Sequence, residues 1–168
     1  MSRFSPSSAS EVASSETSAV SSASTAGIRH APVSGREFFL GTVPRELYAL
    51  DLASPFNNRT NAILRVALDE IAQSVARAIE QYGPDRVGVL IGSCDNGSEL
   101  SFEALSRYRE TGAFPEGYGL ECQRADLPAR FAAEYFGAKG PVLACSTACA
   151  SSASALVGAR TLLRSGAC

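Results

Sequence analysis

The stretch from Gly140 to the end of the sequence constrains the fold more than any other. It reads GPVLACSTACASSASALVGARTLLRSGAC. An apolar run at residues 141–144 predicts a short buried strand, and small residues then lead through a tight turn into a helix that opens near Cys149. This helix has small or apolar side chains on every face until Arg164, a pattern typical of a helix that is buried on all sides.

Cys149 is the candidate functional residue of this stretch. The first N–H groups of a helix have no partner inside it, and the helix dipole is positive at this end. Thiols in such a setting have lowered pKa values, so more of the nucleophilic thiolate is present. The same N–H groups can hold an oxyanion when the thiolate attacks a carbonyl. The order strand, cysteine, helix follows the logic of a nucleophile elbow, whereas the alternative is a structural cysteine in an apolar helix.

Residues 146–156, STACASSASAL, resemble the active-site segment of the β-ketoacyl-acyl-carrier-protein synthases, condensing enzymes of the thiolase-like superfamily. The end of the segment, with Arg160, Arg164 and Gly166, and the apolar strand at 86–93 are similar to the same family. The resemblance covers residues 58–168. It implies that Cys149 accepts an acyl group in fatty-acid or polyketide biosynthesis, with an acyl carrier protein as the substrate-bearing partner and no cofactor.

The resemblance also implies residues that this sequence lacks. In the family, a malonyl group loses carbon dioxide and attacks the bound acyl group, and two histidines (or a histidine and an asparagine) with a lysine stabilise the enolate. These residues lie far downstream of the nucleophile. No His, Asn or Lys follows Cys149 here, and the one histidine, His30, precedes it. We therefore expect a truncated synthase that does not condense substrates alone.

Three other interpretations stay open at this stage. The first is a non-catalytic synthase remnant or partner subunit, although chain-length-factor-like partners of the family replace the cysteine that this chain keeps. The second is an unrelated cysteine acyltransferase or hydrolase, which would require a histidine on an ordered element. The third is a synthase of a specialised pathway such as aryl polyene assembly. The resemblance implies a homodimer or heterodimer in the complete enzyme.

The remaining pattern predicts an α/β layered domain, a partial thiolase-like fold that covers mostly the N-terminal half. Apolar spacing of three and four residues predicts a long helix over 60–81, capped by Asn or Thr and ended by Gly83. The uninterrupted apolar run at residues 87–92 predicts a strand that is covered on both faces of its sheet. Asp126 is the predicted cap of a later helix. The full set of predicted elements is a strand over 37–43, a helix over 60–81, a strand over 87–92, helices over 99–111 and 127–136, the strand over 141–144 and the final helix.

Composition limits the extent of the folded domain and the classes of partner and compartment that suit this chain. Residues 1–34 are rich in Ser and Ala and predict a disordered tail, which leaves residues 35–168 as the partial synthase domain. The net charge of −2 gives no basic surface for nucleic acid, and no run is apolar enough to cross a membrane. Five cysteines, an odd number without a C-x-x-C pair, favour a reducing cytoplasm over a disulfide framework and argue against a metal site.

Overall fold

A computed structural model describes most of the chain, and the described residues are 28–33, 35–41, 43, 47, 50, 55–95 and 97–168, with side chains from residue 35 onward. The chain divides into two compact units, Met1–Glu46 and Leu47–Cys168. The first unit holds an antiparallel hairpin of β1, Ile28–Val33, and β2, Arg36–Gly41. No helix of the described residues has the length and apolar content to cross a membrane.

The hairpin bears on two of the expectations from sequence. The predicted strand over 37–43 corresponds to β2, Arg36–Gly41. Strand β1, Ile28–Val33, falls inside the stretch 1–34 that composition predicts to be disordered. Its backbone groups pair with those of β2, a stabilising partner that composition does not reveal. Residues 1–27 lie outside the described residues, so the division of the chain at residue 34 stays a prediction.

The second unit is an α/β arrangement, as the sequence predicts. Every predicted helix and strand of this unit is present, and their ends differ from the predictions by at most two residues because terminal residues depend on caps more than on periodicity. The elements are α1, Arg59–Tyr82; β3, Val89–Gly92; α2, Ser98–Thr111; α3, Leu127–Phe136; β4, Val142–Cys145; and α4, Ser151–Arg164, with short 3₁₀ turns at Pro84–Arg86, Leu120–Gln123 and Ala148–Ala150.

Helix α1 begins and ends where its sequence signals predict. The side chain of Asn58 caps it, because Oδ1 accepts a hydrogen bond of 2.8 Å from the backbone N–H of Asn61. Gly83 ends it with a φ of 84°, a left-handed value that glycine adopts without a Cβ clash. Both predicted helix ends are confirmed, because each cap involves only residues that are close in sequence.

The predicted cap residue of α3 is at the predicted position but does not cap the helix with its side chain. Asp126 occupies the N-cap position of this helix, but its side chain makes no capping hydrogen bond. Its carboxylate instead accepts two hydrogen bonds, of 2.8 and 2.7 Å, from the guanidinium of Arg124. This fork-shaped pairing satisfies both carboxylate oxygens at once, so it competes successfully with the helix N–H groups. It also lowers the pKa of Asp126.

Strands β3 and β4 form a two-stranded parallel sheet, with Val89 opposite Val142 and Gly92 opposite Cys145. Helices α3 and α4 both contact this sheet, and α1 packs on α3. The buried core cluster consists of Leu50, Leu68, Phe131 and Ala132, and Val89 of β3 packs against it. Burial of these side chains supplies the driving force that holds α1, α3 and β3 together.

Helix α4 is less buried than its sequence pattern predicts. Ser151 and Ala155 are its buried residues, whereas Leu156, Val157 and Leu163 are 73%, 64% and 64% exposed. One side of the helix packs on β3 and β4, while most of the surface of these three apolar side chains stays uncovered. A patch of this kind is typical of a surface that another protein element covers.

Candidate active site

The carboxyl ends of β3 and β4 lie side by side and bring two loops together. Gly92 is paired with Cys145 at the end of the ladder, and the backbone N–H of Ser93 donates a 3.1 Å hydrogen bond to the Cys145 carbonyl. Residues 93–95 leave one strand and residues 146–148 leave the other at the same edge. In α/β proteins this edge of a parallel sheet is where ligands bind.

Helix α4 starts directly against this edge because Gly92 has no side chain. A Cβ atom at Gly92 would lie 2.4 Å from both the carbonyl carbon and the carbonyl oxygen of Ser151. Real Cβ atoms do not approach backbone this closely, so only glycine permits the contact. The first residue of α4 therefore lies against the carboxyl-terminal ends of β3 and β4.

Cys149 lies in the 3₁₀ turn Ala148–Ala150, immediately before α4, and it is exposed. The sequence predicts a helix that opens near this residue, and the α-helix proper begins two residues later at Ser151. Within the turn, the N–H of Ala150 donates to the carbonyl of Thr147 at 3.0 Å. The N–H of Cys149 has no hydrogen-bond acceptor among the described residues, so it can serve a ligand.

The residue before the nucleophile candidate has an unusual backbone. Ala148 has a φ of 50°, and of the described residues other than glycine it alone has a positive φ. A side chain disfavours this left-handed conformation, which occurs most often where surrounding contacts enforce it. The sequence carries no local signal for it, since alanine is a poor residue for such a turn.

Three donors converge on the carbonyl oxygen of Ala148. The backbone N–H and the hydroxyl of Ser151 both donate to it, the hydroxyl at 2.7 Å, and the thiol of Cys94 donates to it at 3.2 Å. The same Ser151 hydroxyl accepts a 3.0 Å hydrogen bond from the N–H of Thr147 and lies 3.4 Å from the Cys94 sulfur. Ser151 is 4% exposed, so these bonds form with little competition from water.

Asp95 organises the neighbouring loop. Its Oδ1 accepts hydrogen bonds from the backbone N–H groups of Ser98 and Gly97, at 2.9 and 3.1 Å, and its Oδ2 accepts one from the Thr60 hydroxyl at 3.3 Å. The bond from the Ser98 backbone is the largest cause of a lowered Asp95 pKa, because it favours the charged carboxylate. The carboxylate thereby fixes the chain between β3 and α2.

Comparison with known proteins gives the family of this chain. Residues 50–168 match the family model described as the β-ketoacyl synthase, N-terminal domain. The chain belongs to the β-ketoacyl synthase family. Its members are condensing enzymes of the transferase class with the thiolase-like fold, so the resemblance and the fold class inferred from the sequence are confirmed.

A solved structure supports the same assignment. This chain is similar to a chain of the structure described as ketosynthase ApeO in complex with its chain length factor ApeC, from Xenorhabdus doucetiae. The two share 30% sequence identity and superpose with a TM-score of 0.72 over 84% of this chain. The match covers 37% of that chain, so this chain spans little more than a third of the solved ketosynthase relative.

The structure locates the residues that the sequence singles out. Cys149 is at the mouth of α4, whereas His30 belongs to β1 in the other compact unit. In the described part of this chain, His, Cys, Asp and Glu side chains form no group of three that could hold a metal ion. The sequence pattern did not identify Cys94 or Ser151 as site residues. Ser151 lies inside the recognised motif, but nothing near Cys94 in the sequence indicates its contact with Ala148, since 54 residues separate the two.

Proposed function

We propose that Cys149 is the acyl-accepting nucleophile of a β-ketoacyl-acyl-carrier-protein synthase of fatty-acid or polyketide biosynthesis. The observation that carries the proposal is the position of the residue. It lies in an exposed turn at the N-terminal end of α4, next to the carboxyl ends of two parallel strands. The substrate is an acyl group bound as a thioester to an acyl carrier protein.

The proposed step is a transthioesterification. The thiolate of Cys149 attacks the carbonyl carbon of the acyl thioester, and the carbonyl oxygen becomes an oxyanion. The C–S bond to the carrier then breaks, and the carrier thiolate leaves and takes up a proton from solvent. The backbone N–H of Cys149, which has no acceptor among the described residues, is a suitable donor to the oxyanion.

The second half of the reaction, decarboxylative condensation with a malonyl carrier, requires groups that stabilise an enolate. In the family the enolate-stabilising histidines follow the nucleophile, whereas His30, the one histidine of residues 1–168, precedes Cys149. We therefore assign to this chain the acyl-transfer step, and we assign condensation to the complete synthase. We place the complete synthase in the cytoplasm, where acyl carrier proteins and free thiols occur together.

Acyl transfer can be measured directly on the full chain. It is incubated with an acyl-N-acetylcysteamine thioester or an acyl carrier protein thioester, and the modified peptide is identified by mass spectrometry. We expect one hydroxylamine-sensitive acyl group on Cys149, its loss in Cys149→Ala and its retention in the matched variant Cys168→Ser. Acylation spread over several cysteines, or none at all, would support the alternative of a non-catalytic remnant or partner subunit.

Condensation gives a second, independent measurement. With an acyl carrier and a malonyl carrier both present, we expect acylated Cys149 and no β-ketoacyl product from this chain. A β-ketoacyl product would contradict the division of the two steps. It would also require an enolate-stabilising group among residues 1–168 other than the family's downstream histidines.

The partner of the complete enzyme is proposed by analogy with the solved relative, a ketosynthase held in complex with its chain length factor. The exposed apolar side chains Leu156, Val157 and Leu163 of α4 form a surface that either the remainder of the synthase or a partner of this type can cover. We favour a heterodimer with a chain-length-factor-like chain, as in a specialised pathway such as aryl polyene assembly. Sedimentation of the chain alone and with a co-expressed chain of that type distinguishes a heterodimer from a homodimer.

A further inference from the structure

The Ala148–Cys149 peptide is held by side chains from two separate segments. Cys94 follows β3 and Ser151 starts α4, and both side chains donate to the carbonyl oxygen of Ala148, at 3.2 and 2.7 Å. The Ser151 hydroxyl has a single proton, which Ala148 receives, and its lone pairs accept from the N–H of Thr147. One buried hydroxyl therefore ties together both sides of the turn that carries Cys149.

The orientation of this carbonyl determines the orientation of the next N–H. A trans peptide is planar, so the N–H of Cys149 points opposite to the carbonyl of Ala148. The positive φ of Ala148 shows that the turn adopts a conformation which alanine disfavours by itself. Contacts from outside the turn must select it, and the donors from Ser151 and Cys94 are such contacts.

We propose that Ser151 and Cys94 are positioning residues that fix the Ala148–Cys149 peptide, so that the Cys149 N–H faces the oxyanion of the acyl-transfer step. The inference rests on the proposed function of Cys149 as nucleophile. Neither side chain touches the substrate in this scheme. Ser151 is the stronger contributor because it is 4% exposed and joins two partners, whereas Cys94 is exposed.

Two reactions of the same thiol separate positioning from a general structural role. Acyl transfer passes through an oxyanion, which the Cys149 N–H stabilises, whereas alkylation by iodoacetamide forms no oxyanion. A misdirected N–H slows the first reaction more than the second. General loosening of the fold changes exposure and reactivity in both reactions together, so the ratio of the two rates is the diagnostic quantity.

The test uses the full chain and site-resolved mass spectrometry of the Cys149 peptide. For Ser151→Ala we expect acylation by an acyl-N-acetylcysteamine thioester to slow about fivefold or more, the effect of about one lost hydrogen bond, while alkylation changes less than about twofold. Cys94→Ala should reduce the acylation rate by a smaller factor. Cys94→Ser, which keeps a hydrogen-bond donor, should recover part of the rate. Ser152→Ala is the matched control, because Ser152 is an exposed neighbour outside this network.

The outcomes distinguish the inference from the function on which it rests. Failure of the unmodified chain to acylate Cys149 overturns the proposed function. Normal acylation of that chain, with an unchanged ratio of rates in both Ser151→Ala and Cys94→Ala, overturns the positioning role alone. Should Ser151→Ala lose its fold by circular dichroism, the Cys94→Ala and Cys94→Ser pair decides, since an exposed side chain tolerates both changes.

Discussion

Gly92 and Ser151 are in direct backbone contact, and a Cβ atom on Gly92 would lie 2.4 Å from the Ser151 carbonyl carbon. The end of β3 and the start of α4 therefore meet without an intervening side chain. This contact places the turn with Cys149 beside the loop with Cys94, although the two loops are far apart in sequence. The geometry of the candidate site depends on it.

Replacement of Gly92 by alanine should displace the start of α4. The added methyl group meets backbone atoms, which cannot rotate away, so we expect the free energy of unfolding to fall by about 1–3 kcal/mol and acylation of Cys149 to slow. The measurement is urea unfolding by circular dichroism. The control is Gly158→Ala, whose Cβ meets only the movable end of Leu90 at 3.0 Å and which gains helix propensity. Equal effects of the two changes would contradict this account.

Asp95 should stabilise the start of α2 in a pH-dependent way. We expect Asp95→Ala to lower the free energy of unfolding by about 1 kcal/mol at pH 7, because two backbone N–H groups lose their acceptor. The pKa of Asp95 is lowered in the folded chain from its ordinary value of 3.8. The difference between the two proteins should therefore persist above that value and shrink as the pH falls below it through the folded-state pKa. An equal difference in urea unfolding at pH 7 and pH 3 would argue against this role.

Phe131 should be a main contributor to core stability. Its side chain is 3% exposed and packs against Phe56, with ring centroids 6.2 Å apart. Phe131→Ala leaves a cavity, so we expect a loss of about 3–5 kcal/mol in the free energy of unfolding. Phe102, which is 73% exposed, provides a matched control in which the same substitution should change stability by less than about 0.5 kcal/mol. Thermal and urea unfolding both measure the contrast.

The phenol of Tyr135 should titrate above its ordinary value. Its hydroxyl donates a hydrogen bond to the carboxylate of Asp69, and this bond is the largest cause of a raised Tyr135 pKa. We expect Asp69→Asn to move the pKa back towards 10.0. Ultraviolet titration of tyrosinate measures the change, with Tyr135→Phe identifying the signal among the tyrosines. The stabilising effect of the bond should be complete below the unfolded pKa and disappear as the pH rises through the folded one.

Short-range patterns made much of the second unit predictable. The spacing of apolar residues specifies α1, and its two ends follow from Asn58 and Gly83, which act on neighbouring residues. The motif around Cys149 is enough by itself to indicate the family and the position of the helix mouth. Each of these signals lies within one element or at its ends. Its outcome therefore depends little on the rest of the chain.

Other features depended on which segments meet. Asp126 has the residue type of a cap, yet it pairs with Arg124, and the sequence contains both possibilities. Strand β1, Ile28–Val33, pairs with β2, a partner that the composition of residues 1–34 does not indicate. In both cases the observed structure depends on a partner segment or residue that local propensity does not reveal.

The sequence by itself determined the order of helices and strands in the second unit, the family, and the cysteine at the start of α4. Only the tertiary structure decided the left-handed backbone of Ala148 and the meeting of Cys94 with Ser151 at its carbonyl. The physical reason is that hydrogen bonds between distant residues form only after β3 and β4 pair in register and Gly92 admits the helix. Such contacts leave no pattern in the local sequence.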